Sequence, residues 1–262
     1  MKLLSFDDNY KTIKGNVFGY GTAILYLAPA NESGVMNTCP NASDGCKNAC
    51  LFTAGLAGIY PMINESRINK TILFKYNREW FMESLIGDIK EFITLSEKNR
   101  FTPCTRLNGT SDIAWESIKH NDKSIMDYYP DIQFYDYTKS PSRMMRFLSG
   151  DFPKNYHLTF SKNEDNYEDC RKVLRNGGNI AVVFHGQLPK YYMGNPVISG
   201  DEHDVRFIDS PNVVVGLTAK GKARKSDSKF IVTVKKANDL GLVSCSTPLR
   251  FTMKKNRILT TA

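Results

Sequence analysis

Apolar runs alternate with amphipathic stretches along most of this chain, a pattern that predicts strands and helices in turn. The segment TAILYLAPA, residues 22–30, is mostly apolar and indicates a buried strand that ends near Pro29. Residues 77–99 form the clearest helix, because apolar side chains recur there at intervals of three and four, and Asn77 is suited to cap the first turn. Apolar residues at this spacing predict one buried helix face, made of Trp80, Phe81, Leu85, Ile89, Phe92 and Ile93.

Further units of the same kind follow. Strand-like segments are CTRLNG, DIQFYDYT, YHLTFS, NIAVVF, NVVVGLT and KFIVTV, and helix-like segments are PMINESRINKTILFKYN, SPSRMMRFL and NEDNYEDCRKVLRNGG. Buried strands that alternate with helices favour a mostly parallel sheet covered by helices. The sequence therefore predicts an α/β fold, a full or partial (β/α) barrel with mostly parallel strands. An open doubly wound sheet is the alternative.

Length and composition fit a single domain. The chain has 262 residues, which is close to the usual size of one α/β barrel, and we expect a single α/β domain over residues 1–262. The first residues lack the apolar core of a signal peptide, and no apolar run approaches the roughly 20 residues of a membrane span. A cytoplasmic location without a membrane partner is expected.

Positive charge is concentrated at the C-terminal end. The net charge is +8, and residues 218–262 carry eleven Lys or Arg against two Asp, so the rest of the chain is nearly neutral. A basic segment beside a near-neutral body indicates an anionic partner, and a nucleotide or nucleic acid is the first candidate. The alternative is a solvated surface without a partner.

Three of the six cysteines lie within twelve residues, directly after the first buried strand. Cys39, Cys46 and Cys50 are spaced C-x6-C-x3-C. In a reducing compartment such clusters indicate metal binding or redox chemistry. Three thiolates suit an iron–sulfur cluster, whereas a structural zinc site would need a fourth ligand from elsewhere. Zinc and metal-free cysteines stay open as alternatives. We expect small buried apolar residues at the other three positions, Cys104, Cys170 and Cys245.

Polar residues follow each predicted strand, and the carboxyl ends of parallel strands meet at one rim. The segment LNGTSD after the second strand offers groups for an amine, a ribose hydroxyl or a carboxylate: Asn108, Gly109, Thr110, Ser111 and Asp112. Asp112 and His185, which ends the NIAVVFHG strand, are candidate catalytic groups. In the alternative interpretation, Ser111 or Asp112 caps a helix at IAWESIK and His185 is a core residue.

The segment GDEHDVRFID, residues 200–209, concentrates acids, a histidine and an arginine. These groups could transfer protons or bind a metal. A salt-bridged loop is the alternative.

The cysteine loop together with RLNGTSDIAWE resembles an uncharacterised family of bacteriophage and plasmid proteins that is known only by a phage gene-product number. The resemblance runs from about residue 20 to about residue 225. It implies a phage setting, and the cytoplasm would be that of the host cell. No activity is implied.

The order of first strand, three-cysteine loop, helix and second strand with a small polar motif is also similar to radical S-adenosylmethionine enzymes. That resemblance implies that Cys39, Cys46 and Cys50 hold a [4Fe–4S] cluster, whose open iron would bind S-adenosylmethionine, with Asn108 to Asp112 facing this cofactor. The usual spacing in that superfamily is C-x3-C-x2-C, and no Gly-Gly-Glu follows the second strand here. These departures bear on the use of S-adenosylmethionine more than on the cluster.

The function expected from the sequence is therefore an iron–sulfur-cluster-dependent phage enzyme, radical S-adenosylmethionine-like, that acts on a nucleotide or nucleic acid. The alternative is a non-catalytic phage protein that binds nucleic acid and is stabilised by zinc or a cluster. A phage protein that inhibits a host factor by surface binding is a third interpretation. The sequence does not indicate an oligomeric state.

Overall fold

The computed structural model describes residues 1–6, 10–234 and 241–242. One ten-stranded sheet runs through this part of the chain. Its strands are β1 (Leu4–Phe6), β2 (Tyr20–Leu25), β3 (Thr102–Arg106), β4 (Gln133–Thr138), β5 (Tyr156–Ser161), β6 (Ile180–His185), β7 (Tyr191–Tyr192), β8 (Asn195–Ser199), β9 (Val214–Thr218) and β10 (Ile231–Thr233).

Helices connect most of these strands. They are α1 (Tyr10–Gly15), α2 (Asp44–Asn48), α3 (Pro61–Tyr76), α4 (Arg78–Lys98), α5 (Ile125–Tyr128), α6 (Pro141–Leu148) and α7 (Tyr167–Arg175). Short 3₁₀ turns lie at Leu51–Thr53, Gly55–Gly58, Trp115–Ser117, Arg206–Ile208 and Gly221–Lys225, among others. None of the helices in the described ranges is long and apolar enough to cross a membrane.

The sheet is mostly parallel and open. Its strand order is β1-β2-β3-β4-β5-β6-β9-β8-β7, and β10 pairs in parallel with the end of β6, at Val183 to His185. Among the strand pairs in the described ranges, β1–β2 and β7–β8 are antiparallel and the others are parallel. The predicted α/β class with mostly parallel strands is confirmed. The predicted full or partial barrel is not confirmed, because β1 and β7 are opposite edges of the described sheet and do not pair. The open-sheet alternative is compatible with this arrangement.

The main apolar core lies between one face of the sheet and the helices. Helix α4 contributes Phe81, Leu85, Ile89 and Phe92, which are all at most 3% exposed. The expected helix face is therefore correct for these residues, but Trp80 is 39% exposed and lies at its margin. Asn77 precedes α4 as predicted, although its side chain makes no capping hydrogen bond.

The opposite face of the sheet, here called the second face, is covered in part by residues 200–209, which contribute a small apolar cluster around Val205 and several buried ion pairs. Arg106 of β3 pairs with Asp204 of this segment at 2.9 Å, and its guanidinium lies over the Tyr137 ring. Arg206 is completely buried, donates to the His203 carbonyl at 2.7 Å and pairs with Asp209 at 3.2 Å. The segment 200–209 is thus a salt-bridged loop, as the alternative interpretation of its sequence stated.

Two local expectations differ from the structure. Residues 114–118 form only the 3₁₀ turn Trp115–Ser117, so the helix that the alternative interpretation placed at IAWESIK, with a cap at Ser111 or Asp112, is absent. Strands β1, β7 and β8 and helix α1 were not predicted, because these elements are only two to six residues long. A run this short carries little periodic signal.

Candidate functional site

All three clustered cysteines line one recess at the carboxyl ends of the parallel strands. Its volume is about 230 Å³. The lining residues are Pro29, Ala30, Glu32, Cys39, Ala42, Cys46, Lys47, Asn48, Cys50, Phe52 and Lys222. The structure therefore brings the predicted ligand set together around one recess. Closeness in sequence does not ensure this, because a loop with six or three residues between its cysteines can point their side chains in different directions.

The position of Cys39 is fixed by hydrogen bonds of the residues just before it. The Thr38 hydroxyl donates to the Ala28 carbonyl at 2.6 Å, and the Cys39 amide donates to the Asn37 side chain at 2.9 Å. The Cys39 thiol itself lies 3.7 Å from the Thr110 carbonyl, to which it donates. The first cysteine is thus attached to the LNGTSD loop that follows β3.

Cys46 lies on the short helix α2, whose start is held by a residue far along the chain. Ser43 caps the helix by accepting from the Cys46 amide, and its hydroxyl donates to Glu164 at 2.6 Å. Glu164 also accepts from the Gly45 amide at 2.7 Å. A Cβ on Gly45 would lie 2.6 Å from the Glu164 carboxylate and 2.8 Å from Phe230, so only glycine permits this approach.

The Glu164 carboxylate is tuned by the same contacts. Partial burial works to raise its pKa, but the hydrogen bonds from Ser43 and Gly45, with help from Lys162, lower it overall. Glu164 is consequently charged near neutral pH and complements the amino end of α2.

Cys39 and Cys50 favour the protonated thiol when no metal is bound. Burial is the main cause that raises the pKa of each, and the nearby Cys46 and Cys39 raise that of Cys50 further. Metal binding to these thiols would therefore release protons, since only the thiolate is a ligand.

Two cationic side chains lie next to the cysteines. Lys139, directly after β4, lies beside Cys46 and Cys39; burial works to lower its pKa, but these thiols and Asp112 raise it overall. Arg67 of α3 lies within reach of Cys50 and stacks on the Tyr26 ring, and burial lowers the pKa of its guanidinium. Cations in this position favour a bound group with negative charge.

The LNGTSD loop lies against Cys39, but its side chains are engaged in hydrogen bonds within the fold. The Asn108 amide group bonds with Ser111, Ile113, Trp115 and Asp136. Asn108 therefore organises the loop itself.

The neighbours of Asn108 are used in the same way. A Cβ on Gly109 would lie 2.6 Å from the Tyr26 ring, so glycine is required here for packing. Thr110 donates to the Leu27 carbonyl at 2.5 Å. Asp112 accepts from the Lys139 amide and from Arg143, both at 2.8 Å. The LNGTSD loop thus supports the cysteine loop. The roles predicted for its residues in cofactor binding and catalysis stay predictions.

His185 lies at the exposed end of β6. Its Nε2 lies 3.1 Å from the Arg224 carbonyl, in the basic turn Gly221–Lys225. The structure thus places His185 beside this turn, and its catalytic role stays a prediction.

The described part of the predicted basic segment is packed against the cysteine loop. Ala223 is 4% exposed and belongs to a small apolar cluster with Ala49, Phe230 and Ile231, against which Cys46 packs. Lys222 of the same turn lines the cysteine recess. Residues 235–240 and 243–262 of the basic segment, with Cys245, lie outside the described residues.

The three thiols are not arranged to hold a single metal ion. Among the described residues, no three His, Cys, Asp or Glu side chains are arranged closely enough to hold one ion. Tetrahedral zinc with Zn–S bonds of about 2.3 Å would require sulfurs about 3.8 Å apart. An iron–sulfur cluster is larger and binds each thiolate through a different iron, so this spacing requirement for a single ion does not apply to it.

Sequence reasoning did not identify Glu164 or Arg67 as part of this site. Glu164 lies in a polar stretch, NED, that reads as an ordinary helix start, and Arg67 lies in an amphipathic helix. Neither position carries a local signal, because each reaches the cysteines only through the fold.

Known proteins were compared with the chain. No curated protein matches it, and no solved structure matches it, so the resemblance to radical S-adenosylmethionine enzymes is without support. The model of one family, described as Gene product 88, matches residues 2–234. This match covers almost all of the described residues and agrees with the phage gene-product resemblance of the cysteine loop. The chain belongs to the Gene product 88 family.

Proposed function

We propose that this protein is an iron–sulfur-cluster-dependent phage enzyme that acts on a nucleotide or nucleic acid. The observation that carries the proposal is the convergence of Cys39, Cys46 and Cys50 on one recess beside the cation Lys139. Three thiolates and a cluster form an anionic group, which a nearby ammonium stabilises. The recess lies at the strand ends, where α/β proteins hold their ligands.

A bound cluster would supply electron transfer or Lewis-acid chemistry that side chains lack. The chain itself would hold and orient it. Glu164 and Ser43 fix the helix that carries Cys46, and the Thr110 carbonyl orients the Cys39 thiol. Phe52 and Pro29 line the recess with apolar surface that excludes water.

Binding of S-adenosylmethionine beside the cluster is a more specific part of the proposal. The LNGTSD loop lies next to Cys39, as that cofactor would require, but the Asn108 and Asp112 side chains are used in internal hydrogen bonds. A cofactor there would have to bind through backbone groups or displace those bonds.

A non-catalytic protein that binds nucleic acid is the second candidate. The packing of the basic turn on Ala49 and Cys46 favours it, because a zinc ion or cluster at the cysteines would then stabilise a binding surface.

Anaerobic purification followed by measurement of iron, sulfide and zinc tests these candidates. We expect about four iron and four sulfide atoms per chain. Their amount should fall strongly in Cys39→Ala, Cys46→Ala and Cys50→Ala, since each removes one ligand. Cys104→Ala and Cys170→Ala are matched controls, because both thiols are buried elsewhere, and they should retain the cluster.

Three outcomes would contradict the proposal or part of it. Stoichiometric zinc without sulfide would exclude the cluster and favour the second candidate. A cluster that survives the loss of any one of the three cysteines would exclude this ligand set. A cluster whose spectrum does not change on addition of S-adenosylmethionine would exclude that cofactor.

A further inference from the structure

The mouth of the cysteine recess has a cationic edge. Lys47 and Lys222 line the recess itself. Arg224 and Lys225 belong to the same exposed turn as Lys222, and Lys47 pairs with the exposed Asp44 at 3.1 Å. Two cations thus line the opening of about 230 Å³ and two more lie on the adjoining turn, against one acid in the lining, Glu32.

This cationic edge is held in place by packing. Ala223, in the middle of the turn, is buried against Ala49, Phe230 and Ile231. The Arg224 guanidinium donates to the Ala219 carbonyl at 3.3 Å. The charges consequently keep a fixed position relative to Cys46, which packs against the same apolar cluster.

The adjoining edge is apolar and exposed. The stretch from residue 51 to residue 62 leaves five large side chains 51% to 71% exposed: Leu51, Leu56, Ile59, Tyr60 and Met62. The 3₁₀ turn Leu51–Thr53 packs against the basic turn Gly221–Lys225, and Phe52 lines the recess. Apolar side chains that remain exposed next to a recess indicate a binding surface.

We propose that single-stranded nucleic acid binds across this mouth. Its phosphates would contact the cationic edge, and its bases would lie on the apolar edge around Tyr60. Proteins that bind single strands combine a cationic track with apolar or aromatic side chains on which bases stack. A duplex presents its phosphates equally well, but it keeps its bases in the stack and out of a recess.

This inference deepens the proposed function, since it takes the cysteine recess as the place where a base would react. The binding itself needs no cluster, so the two proposals fail separately. An acidic polypeptide is the competing partner, because it would be attracted by the same cations.

Fluorescence anisotropy of the full-length, metal-free protein tests the surface. The probes are labelled DNA and RNA strands of about 20 nucleotides, the matching duplex, and polyglutamate. One variant neutralises the turn with Lys222→Gln, Arg224→Gln and Lys225→Gln. A second combines Leu56→Ser with Tyr60→Ala. The matched control neutralises three exposed cations before β3, at the opposite end of the sheet, with Lys90→Gln, Lys98→Gln and Arg100→Gln.

We expect the single strands to bind more tightly than the duplex or polyglutamate. Loss of the three turn cations should weaken binding about tenfold or more and reduce the logarithmic salt slope by about 2, as expected for three lost phosphate contacts. The Leu56 and Tyr60 variant should weaken binding without changing the slope. The bound strand should also slow alkylation of Cys50 by N-ethylmaleimide.

Three results would overturn the inference: equal affinity for duplex and single strand, equal weakening by the control variant, or tighter binding of polyglutamate. The last would identify an acidic polypeptide as the partner. Cys39→Ala should bind the strand normally whether or not the protein carries a cluster, which separates this surface from the proposed ligand set.

Discussion

Several ionisable side chains on the second face are largely buried beside the completely buried Arg206. His157 of β5 lies close to Arg206, which is completely buried, and burial together with this cation lowers the pKa of His157 to about 4. Asp209 lies on the other side of Arg206, and burial raises its pKa to about 6 despite this cation. Such groups couple folding to pH.

His157 predicts a loss of stability in weak acid. Its pKa is about 6.5 in an unfolded chain, and the folded value is lower, so its contribution is complete above pH 6.5 and is lost as the pH falls toward 4. Between pH 7 and pH 5 this loss should approach about 2 kcal/mol. Urea unfolding of His157→Gln at both pH values should show a smaller decrease than the unchanged protein.

The contribution of His157 is the difference in pH dependence between the variant and the unchanged protein, since other groups also titrate in this range. Asp209 titrates in the opposite sense, because a raised carboxyl pKa gives stability at low pH that is lost as the pH rises through about 6. Identical pH dependence in the two proteins would show that the folded protein protonates His157 as readily as the unfolded chain does.

At the scale of elements, the short helix α2 depends on a contact that is remote in sequence. It has five residues, too few to be stable alone, and Glu164 accepts hydrogen bonds from its cap residue Ser43 and from Gly45. The loop before α7 therefore determines where Cys46 lies.

Glu164→Gln is expected to loosen α2. The amide keeps the shape but replaces a charged acceptor, so the free energy of unfolding should fall by about 1 kcal/mol. Alkylation of Cys46 in the metal-free protein should become faster, because its helix opens more often. The control Glu168→Gln changes an exposed glutamate of α7 that pairs with Arg171 at 3.6 Å. Equal alkylation rates in both variants would show that α2 is held by other contacts.

The predictable elements were those with a long local pattern. Helix α4 and strands β4, β5 and β6 each show their periodicity within one segment of sequence, and their positions agree with the prediction. The helix expected at IAWESIK does not form, since Asp112 binds Arg143 and the Lys139 amide instead of capping it. Tertiary contacts of this kind have no local signal.

At the scale of the whole molecule, the sheet joins parts of the chain that are distant in sequence. The ligand set could be proposed from the spacing of three cysteines, but its surroundings could not, because Lys139, Glu164 and Lys222 reach it from three separate connections. The sequence could not show whether the sheet closes into a barrel, because parallel strands have the same apolar runs in a barrel and in an open sheet.

Phe230 is the residue that connects the last part of the described chain to the cysteine loop. It is 9% exposed, lies in the apolar cluster with Ala49 and Ala223, and approaches Gly45 closely. Its position explains how β10, paired with the end of β6, keeps both the basic turn and α2 in place.

Phe230→Ala is therefore expected to separate these two parts without unfolding the core between the sheet and α4. Loss of a buried phenylalanine should lower the free energy of unfolding by about 3 kcal/mol. It should also increase alkylation of Cys46 and weaken the binding of single strands, because the basic turn loses its support.

Phe152→Ala is the matched control, since Phe152 packs on Phe147 and Tyr156 just before β5, at the opposite end of the sheet. This control should lower stability but leave Cys46 reactivity and strand binding unchanged. Equal effects of the two variants on Cys46 would show that its protection comes from overall stability and that the apolar cluster does not link the basic turn to the cysteines.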